Sequence, residues 1–274
     1  MSRALRQART ALAGNPSAAA EARTLVAYAL GTEPGQLPLA DPLDQAAQQR
    51  LQQALARRVA GEPVQHITGI AYFRHTELRV GPGVFVPRPE TEALTGWCLE
   101  RLAGRDSARV VDLCAGSGAI SKAIAQEHPG LDQIAVEISA EAVDYLIANL
   151  ADTEVEVVAA DMATALGHLD GTVDLVVCNP PYVPLTAWES VAADVRDHDP
   201  QQAVFSGPDG LDAMRVLADA AARLLRPGGL LGAEHAEAQH EAVVELFCRR
   251  GDYCAVRDHR DLTDRWRYLT CVRR

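Results

Sequence analysis

The apolar run Val173–Cys178, broken only by Asp174, is followed at once by Asn179-Pro180-Pro181-Tyr182. A near-continuous apolar run reads as a strand buried on both faces, the mark of a parallel sheet covered by helices. Two successive prolines hold φ and remove two N–H donors, so the chain can neither continue as a strand nor turn directly into a helix. The tetrapeptide therefore stands at the carboxyl end of a parallel strand, where open α/β sheets bind ligands. It offers a stiff elbow with free carbonyls, one carboxamide and one aromatic ring. A carboxamide oxygen and a neighbouring backbone carbonyl are two acceptors, suited to a planar –NH2 group with two donor hydrogens. With both hydrogens held, the nitrogen is aimed at an electrophile. The elbow reads as a device for alkylating an amide or an exocyclic amine.

The surrounding pattern supports a parallel sheet. Strands are predicted at Arg109–Leu113, 133–136, 155–159, Val173–Cys178 and 230–234, with helices at Ala119–Glu127, 140–149 and 211–225. Such alternation implies helices on both faces of the sheet. Two further strands, at 253–257 and 268–272, are joined by a link too short for a helical crossover, so one of them runs antiparallel. Upstream, residues 4–12, 19–30 and 43–59 read as helices rich in Ala, Leu, Gln and Arg, interrupted at Gly14-Asn15-Pro16 and across 31–42. Asn15 or Ser17 is the expected cap of the second helix and Asp41 that of the third, with Pro42 at its first position. Between these regions Phe73, Leu78, Val80 and Val84 to Val86 alternate with Gly69, Gly81-Pro82-Gly83 and Pro87-Arg88-Pro89, predicting a hairpin before a helix at Thr91–Leu102. The expected organisation is a helical recognition domain over 1–68, a β-hairpin linker over 69–90 and an α/β domain over 91–274.

The chain has 274 residues, 48% hydrophobic, enough for one main domain and a smaller one. A net charge of −11 argues against free nucleic acid as the main partner, because phosphate binding relies on basic surface. No apolar stretch approaches the roughly 20 residues needed to span a bilayer. The opening MSRALRQART lacks the apolar core of a secretory signal, which predicts a cytoplasmic protein. The six cysteines show neither CxxC pairs nor metal spacing, so no metal site or structural disulfide is expected. A monomer is the default expectation.

Further candidates stand at the other strand ends. Cys114-Ala115-Gly116-Ser117-Gly118 follows the first strand and opens a helix, its glycines allowing a tight turn and close approach to a ligand. The G-x-G-x-x-G order is absent, which disfavours NAD. Glu137 ends the second strand, 19 residues past Gly118, where a carboxylate suits a ribose diol. Asp161 follows the third strand and is placed to accept from an adenine amino group, with Met162 packing near the base. Turn, acid, acid and Asn-Pro-Pro-Tyr at successive strand ends describe an S-adenosylmethionine pocket with the methyl group facing the elbow. His66 and His235 read as structural residues, Arg88 as one half of an ion pair, and the acidic run 194–199 as a solvated loop.

Several segments resemble the release factor glutamine N5-methyltransferases, the PrmC/HemK family, along nearly the whole chain. They are Gly61-Glu62-Pro63-Val64-Gln65-His66-Ile67-Thr68-Gly69, Gly83-Val84-Phe85-Val86-Pro87-Arg88-Pro89-Glu90-Thr91-Glu92, Asp209-Gly210-Leu211, Pro227-Gly228-Gly229 and Glu234-His235, besides the elbow itself. The Pro-Arg-Pro-Glu-Thr-Glu stretch separates this family from nucleic-acid methyltransferases that share the elbow. The resemblance implies a class I S-adenosylmethionine-dependent methyltransferase fold, a seven-stranded, mostly parallel α/β sheet with a small helical N-terminal domain and a linking β-hairpin. It implies methyl transfer to the glutamine side chain of a Gly-Gly-Gln motif in a peptide chain release factor, leaving S-adenosylhomocysteine. Asn179, Pro180, Pro181 and Tyr182 would hold the glutamine, with Asn179, Pro180 and Tyr182 acting in catalysis. Asn179 would also border the cofactor, which Cys114 to Gly118, Glu137, Asp161 and Met162 would bind. The chain departs from the family in having Cys114 for a usual glycine, Glu137 for a usual aspartate and Met162 for a common aromatic residue. A positive φ at Cys114 would cost on the order of 1–2 kcal/mol. Two other readings compete: a nucleic-acid exocyclic-amine methyltransferase, and a catalytically silent protein that docks a translation factor.

Overall fold

The computed structural model describes residues 1–191 and 193–274. The chain divides into two compact units, one of residues 1–70 with 193–198, the other of 71–191 with 199–274. Residues 1–70 of the first hold the helices α1 (Ser2–Ala11), α2 (Ala18–Leu30), α3 (Gln45–Val59) and α4 (Val64–Thr68). Their apolar faces meet in a core that includes Leu12, Leu25, Val26, Leu51, Leu55 and Ile67. Arg58 crosses from α3 to Glu21 on α2 at 2.7 Å, an ion pair set into the flank of this core. The cap of α3 is Asp44, whose Oδ1 accepts from Ala47 N at 2.7 Å. Residues 41–44 have no regular structure, so Asp41 and Pro42 precede the helix instead of starting it. Ser17 occupies the cap position of α2 without a side-chain bond, while Asn15 Oδ1 accepts from Ser17 N at 2.8 Å.

A hairpin of β1 (Ile70–Phe73) and β2 (Thr76–Arg79) comes next. Phe73, Leu78, Val80, Val84 and Val86 form a cluster that packs on Ala119, Ala123 and Ala142 of the larger unit. That unit continues through α5 (Thr91–Leu102), β3 (Arg109–Leu113), α6 (Ala119–Glu127), β4 (Asp132–Glu137), α7 (Ala140–Leu150), β5 (Glu156–Ala159) and β6 (Val173–Cys178). After the elbow come α8 (Ala193–His198), which groups with the helical unit, and α9 (Gln201–Val204). The chain ends with α10 (Asp212–Leu224), β7 (Leu225–Glu234), α11 (His240–Arg249), β8 (Tyr253–Arg260) and β9 (Trp266–Arg273).

Seven strands form one sheet in the order β5-β4-β3-β6-β7-β9-β8. All neighbours up to β7 are parallel; β9 runs antiparallel to both β7 and β8. The direction of strand succession reverses at β3, which lies between β4 and β6, so the ligand crevice of such a sheet falls above the β3 carboxyl end. Side chains alternate between the two faces. Val111, Leu113, Val176, Cys178, Leu231 and Ala233 pack with Leu217 of α10 and Phe247 of α11. Val110, Leu175 and Val177 pack on the other face with Leu94 and Trp97 of α5 and Ile120 and Ile124 of α6.

The closeness of α5 to the sheet depends on Gly232. A Cβ there would lie 2.8 Å from both Leu94 Cδ1 and Trp97 Cζ3. Gly232→Ala is expected to push α5 off β7 and cost about 1–3 kcal/mol, the usual range for overpacking, measured by urea denaturation.

Candidate active site

The sheet register sets the spacing of the polar strand ends. Leu113 pairs with Val136 on one side and Cys178 on the other, Glu137 with Ala159, and Cys178 with Ala233. Cys114, Glu137, Asn179 and Glu234 therefore stand side by side along one edge, with Asp161 just past β5.

Each part of the turn after β3 has a structural tie. Cys114 has φ 60°, the left-handed conformation that a glycine would adopt without strain. Its Sγ lies 3.6 Å from Met162 Sδ, which joins the first and third strand ends. Ala115 N donates to Val136 O at 3.0 Å, and Gly116 N donates to Glu137 Oε2 at 2.8 Å. Gly116 is open on its Cα side, where a Cβ would meet no protein atom within 4 Å. Gly118 has φ 82°, and a Cβ on it would lie 2.8 Å from Leu146 Cδ1, so only glycine lets α6 start here. Ser117 is buried and its carbonyl accepts from Asn149 Nδ2 at 2.8 Å. Asn149 also exchanges two hydrogen bonds with the Arg79 backbone, tying the turn to the hairpin.

Glu137 is buried, yet its carboxylate is well supplied with donors. Oε1 accepts from Ile138 N at 2.9 Å and Ser139 N at 2.8 Å, and Oε2 from Gly116 N. The backbone thus fixes both oxygens, filling the two acceptor sites of Oε1 and leaving one on Oε2. Asp161 is exposed and its Oδ1 accepts from Ala163 N at 2.9 Å.

Asp112 lies two residues before the turn, buried on the α5–α6 face. Its Oδ2 accepts from Ser121 Oγ at 2.7 Å, and its Oδ1 has no hydrogen-bond partner. Burial pushes its pKa up from 3.8 to about 7, against the opposing pull of Ser121.

The elbow is held from three directions. Asn179 is partly buried and its Nδ2 donates to Thr91 Oγ1 at 3.2 Å. Pro180 is buried and Pro181 half-buried. Tyr182 Oη donates to Glu234 Oε1 at 3.2 Å, and its carbonyl accepts from Gln239 Nε2 at 2.8 Å. Burial, then the Glu234 charge, raises the Tyr182 pKa, so the phenol keeps its proton. A Cβ at Gly210 (φ 77°) would sit 2.3 Å from Tyr182 O, so only glycine fits where Asp209-Gly210-Leu211 passes the elbow. Beyond it, Val183 N donates to Val204 O and Ser206 N to Val183 O, both at 2.9 Å, pinning the loop to the end of α9 and the residues that follow.

Glu234 is the deepest acid of the group. Its Oε2 is buried without a hydrogen-bond partner; burial raises its pKa, opposed by the Thr91 hydroxyl, the Arg267 charge and Tyr182. His235 is fully buried, with Nδ1 3.0 Å from Ala236 O and Nε2 3.0 Å from Asp258 Oδ1, so its ring joins the start of the loop after β7 to β8. His66 is buried in α4 of the helical unit. Arg88 pairs with Asp199 at 3.0 Å and lies 5.1 Å over the Phe85 ring. The acidic run is therefore not simply a solvated loop. Residues 193–198 are helical and Asp199 is buried against Arg88, while the side chain of Asp194 lies outside the described residues.

Sequence reading singled out the turn, Glu137, Asp161, Met162 and the elbow, and the sheet brings these strand ends to one edge. It missed Asp112, Asn149, Gln239 and the roles of Thr91 and Glu234. Thr91 and Glu234 did lie in quoted motifs, and an acid closing a fourth strand was a readable signal.

An open glycine turn, a backbone-fixed acid and an amide-bearing elbow at the switch point of this sheet define a class I methyltransferase. The family profiles described as "PrmC N-terminal domain" and "Methyltransferase small domain" match residues 3–69 and 76–195. The release factor glutamine methyltransferase of Streptomyces coelicolor is 48% identical over 264 residues, covering 96% of this chain and 93% of its own. That of Mycolicibacterium smegmatis is 43% identical over 265 residues, with 96% and 93% covered. A solved methyltransferase structure from Pyrococcus furiosus shares the fold, with a TM-score of 0.52 at 17% identity over 81% of this chain and 98% of that one. The chain belongs to the release factor glutamine methyltransferase family.

The buried Asp112 carries a pH signature. Its folded pKa lies above its unfolded one, so the fold holds a proton that the unfolded chain releases between the two values. Its contribution to stability is whole below about pH 4 and falls as pH rises towards 7. Asp112→Asn removes this dependence. Its stability relative to the parent protein is expected to rise by about 2–3 kcal/mol between pH 5 and pH 8, measured by denaturant unfolding at both values.

Proposed function

We propose that this chain transfers a methyl group from S-adenosylmethionine to the side-chain amide nitrogen of the glutamine in the Gly-Gly-Gln motif of a peptide chain release factor. The observation that carries this reading is the Asn179 carboxamide, whose Nδ2 is engaged by Thr91 so that Oδ1 is left for the substrate. Asn179 Oδ1 and the Pro180 carbonyl accept the two amide hydrogens and aim the nitrogen. An amide nitrogen is a poor nucleophile because its lone pair is delocalised into the carbonyl. Two fixed acceptors compensate by orientation and by stabilising the positive charge that develops on nitrogen. Tyr182, fixed by Glu234 and Gln239, closes the glutamine side chain off from water. No side chain is required as a base before transfer, since the proton can leave afterwards.

The residues present fit the cofactor. Glu137 takes the ribose diol, the open backbone at Gly116 and the turn from Cys114 to Gly118 border the methionine end, and Asp161 with Met162 meets the adenine. When bound, S-adenosylmethionine supplies the sulfonium methyl and its leaving group. The helical unit over 1–68 serves to recognise the release factor, 69–90 links it, and 91–274 carries the chemistry. The reaction is cytoplasmic and the enzyme acts as a monomer. Relatives named release factor glutamine methyltransferase favour neither the nucleic-acid reading nor the silent docking protein.

Incubation with a recombinant release factor and S-adenosylmethionine should add about 14 Da, the mass of one CH2, on the Gly-Gly-Gln glutamine, read by peptide mass mapping. No gain with cofactor binding intact would overturn the proposal. Asn179→Ala is expected to lower kcat at least about 100-fold, the scale of losing one oriented polar contact in a transition state. Its affinity for S-adenosylhomocysteine, measured by calorimetry, should stay within about threefold.

A further inference from the structure

We propose that Gln239 is a positioning residue for methyl transfer: it holds the Tyr182 carbonyl and so fixes the backbone of the elbow that presents two acceptors to the substrate amide. This inference rests on the methyl-transfer reading above. Pro180 and Pro181 have no N–H, so the elbow cannot brace itself through their backbone. Among the described residues, neither the Pro180 nor the Pro181 carbonyl accepts a hydrogen bond; the Tyr182 carbonyl is the one the protein itself holds. With φ locked at both prolines, the elbow moves as a stiff arm. One end is the last residue of β6, fixed by the sheet, and the other is the Tyr182–Val183 peptide.

Every bond of the Gln239 side chain is directional, and the residue is buried. Its Oε1 accepts from Ala236 N at 3.1 Å, a group that can only donate. Its Nε2 donates to Tyr182 O at 2.8 Å and Asp209 O at 3.2 Å, carbonyls that can only accept. The two ends of this carboxamide are therefore not interchangeable. The Gln239 backbone closes the same turn, its N donating to Ala236 O at 2.9 Å. Gln239 occupies the cap position of α11, yet its side chain makes no bond to that helix and goes to the elbow instead. Val183 N, the other half of the Tyr182–Val183 peptide, donates to Val204 O at 2.9 Å. Held at both its C=O and its N–H, this peptide plane cannot rock, and the prolines pass its tilt back to Pro180 and Asn179.

Independent features of the fold converge on the same point. A Cβ at Gly210 would lie 2.5 Å from Gln239 Nε2 as well as 2.3 Å from Tyr182 O, so glycine is what lets the three loops meet. The loop that carries Gln239 is anchored in turn. His235 N donates to Arg267 O at 2.9 Å, and His235 Nε2 lies 3.0 Å from Asp258 Oδ1.

Gln239→Met keeps the length of the side chain and removes its donor and acceptor. With a Gly-Gly-Gln release factor as substrate, it is expected to lower kcat about 20-fold, with KM and S-adenosylhomocysteine affinity within about threefold. Gln239→Glu supplies a second test. Ionised, it turns oxygen towards two carbonyls; protonated, it again accepts from Ala236 N and gives one hydrogen to Tyr182 O. Burial and the facing carbonyls favour the protonated form. Its kcat relative to the parent should therefore rise at least about tenfold from pH 8 to pH 6, while the ratio for Gln239→Met stays flat. The hydrogen bond itself is read without turnover. Tyr182-Val183 is the sole Tyr-Val pair in the chain, so 13C-carbonyl tyrosine combined with 15N-valine gives one assigned signal for this peptide. The carbonyl shift should move in Gln239→Met and in Gln239→Glu at pH 8, and return towards the parent value in Gln239→Glu at pH 6. The proposal is overturned if kcat of Gln239→Met per folded molecule stays within about threefold of the parent, the scatter expected of an uninvolved residue. It is equally overturned if the loss falls on KM or on S-adenosylhomocysteine affinity, or if the carbonyl shift does not move. Should Gln239→Met not fold, Gln239→Glu decides, and a flat pH ratio overturns the proposal. Failure of the parent enzyme to methylate the release factor would count against the reaction itself, while the carbonyl shift would still decide whether Gln239 holds the elbow.

Discussion

The parallel ladder around β3 is the constraint from which the site follows. Leu113 lies between Val136 and Cys178, and Cys178 lies opposite Ala233, so the residue after each partner emerges at the same height. Period-two alternation then sends Asn179 and Glu234 to the α5 face, while Cys178 and Ala233 remain in the core with α10 and α11. A one-residue slip in the β6 pairing would send the carboxamide to the wrong side of the sheet. The two prolines serve the same end. They stop β6 where the register has placed the carboxamide, and they keep the following backbone from pairing further.

Three acids are buried within this small region, and each is accommodated differently. Glu137 is satisfied almost wholly by backbone N–H groups, two from the start of α7 and one from Gly116, so it stays an acceptor at little cost. Glu234 is balanced by hydroxyls and by the Arg267 charge. Asp112 has one serine hydroxyl and an unpartnered oxygen, which leaves burial dominant and raises its pKa. The differences arise from position. Glu137 meets free N–H groups where α7 begins, whereas Asp112, inside β3, takes its side-chain hydrogen bond from Ser121 of α6.

The strand ladder was legible in the sequence because strong apolar runs separated by turns leave few alternatives. β3 and β6 begin and end where the pattern placed them. β7 is longer than its apolar part, since Pro227-Gly228-Gly229 reads as a break while the chain remains extended from Leu225. The cap of α3 was misplaced because Asp41 and Asp44 are equally good caps locally, and only helix packing chooses the starting turn. Residues 194–199 read as solvated by charge alone, and nothing local indicated that Asp199 would meet Arg88, 111 residues away.

Sequence alone determined the identity and order of the strand-end groups, namely the cysteine-glycine turn, Glu137, Asp161 and the Asn-Pro-Pro-Tyr elbow. Local backbone chemistry is enough for this, because proline, glycine and apolar periodicity act within a few residues. Tertiary structure decided which groups support them. Thr91 reaches Asn179 across 88 residues, Tyr182 reaches Glu234 across 52, and Asn149 ties Ser117 to Arg79. Such hydrogen bonds depend on the sheet order and on the approach of α5 to β7, and no short-range pattern encodes either. Cys114 shows both levels at once: the sequence places a side chain there, and the folded turn between β3 and α6 holds it at φ 60°, a conformation that favours glycine and that no local pattern of the sequence encodes.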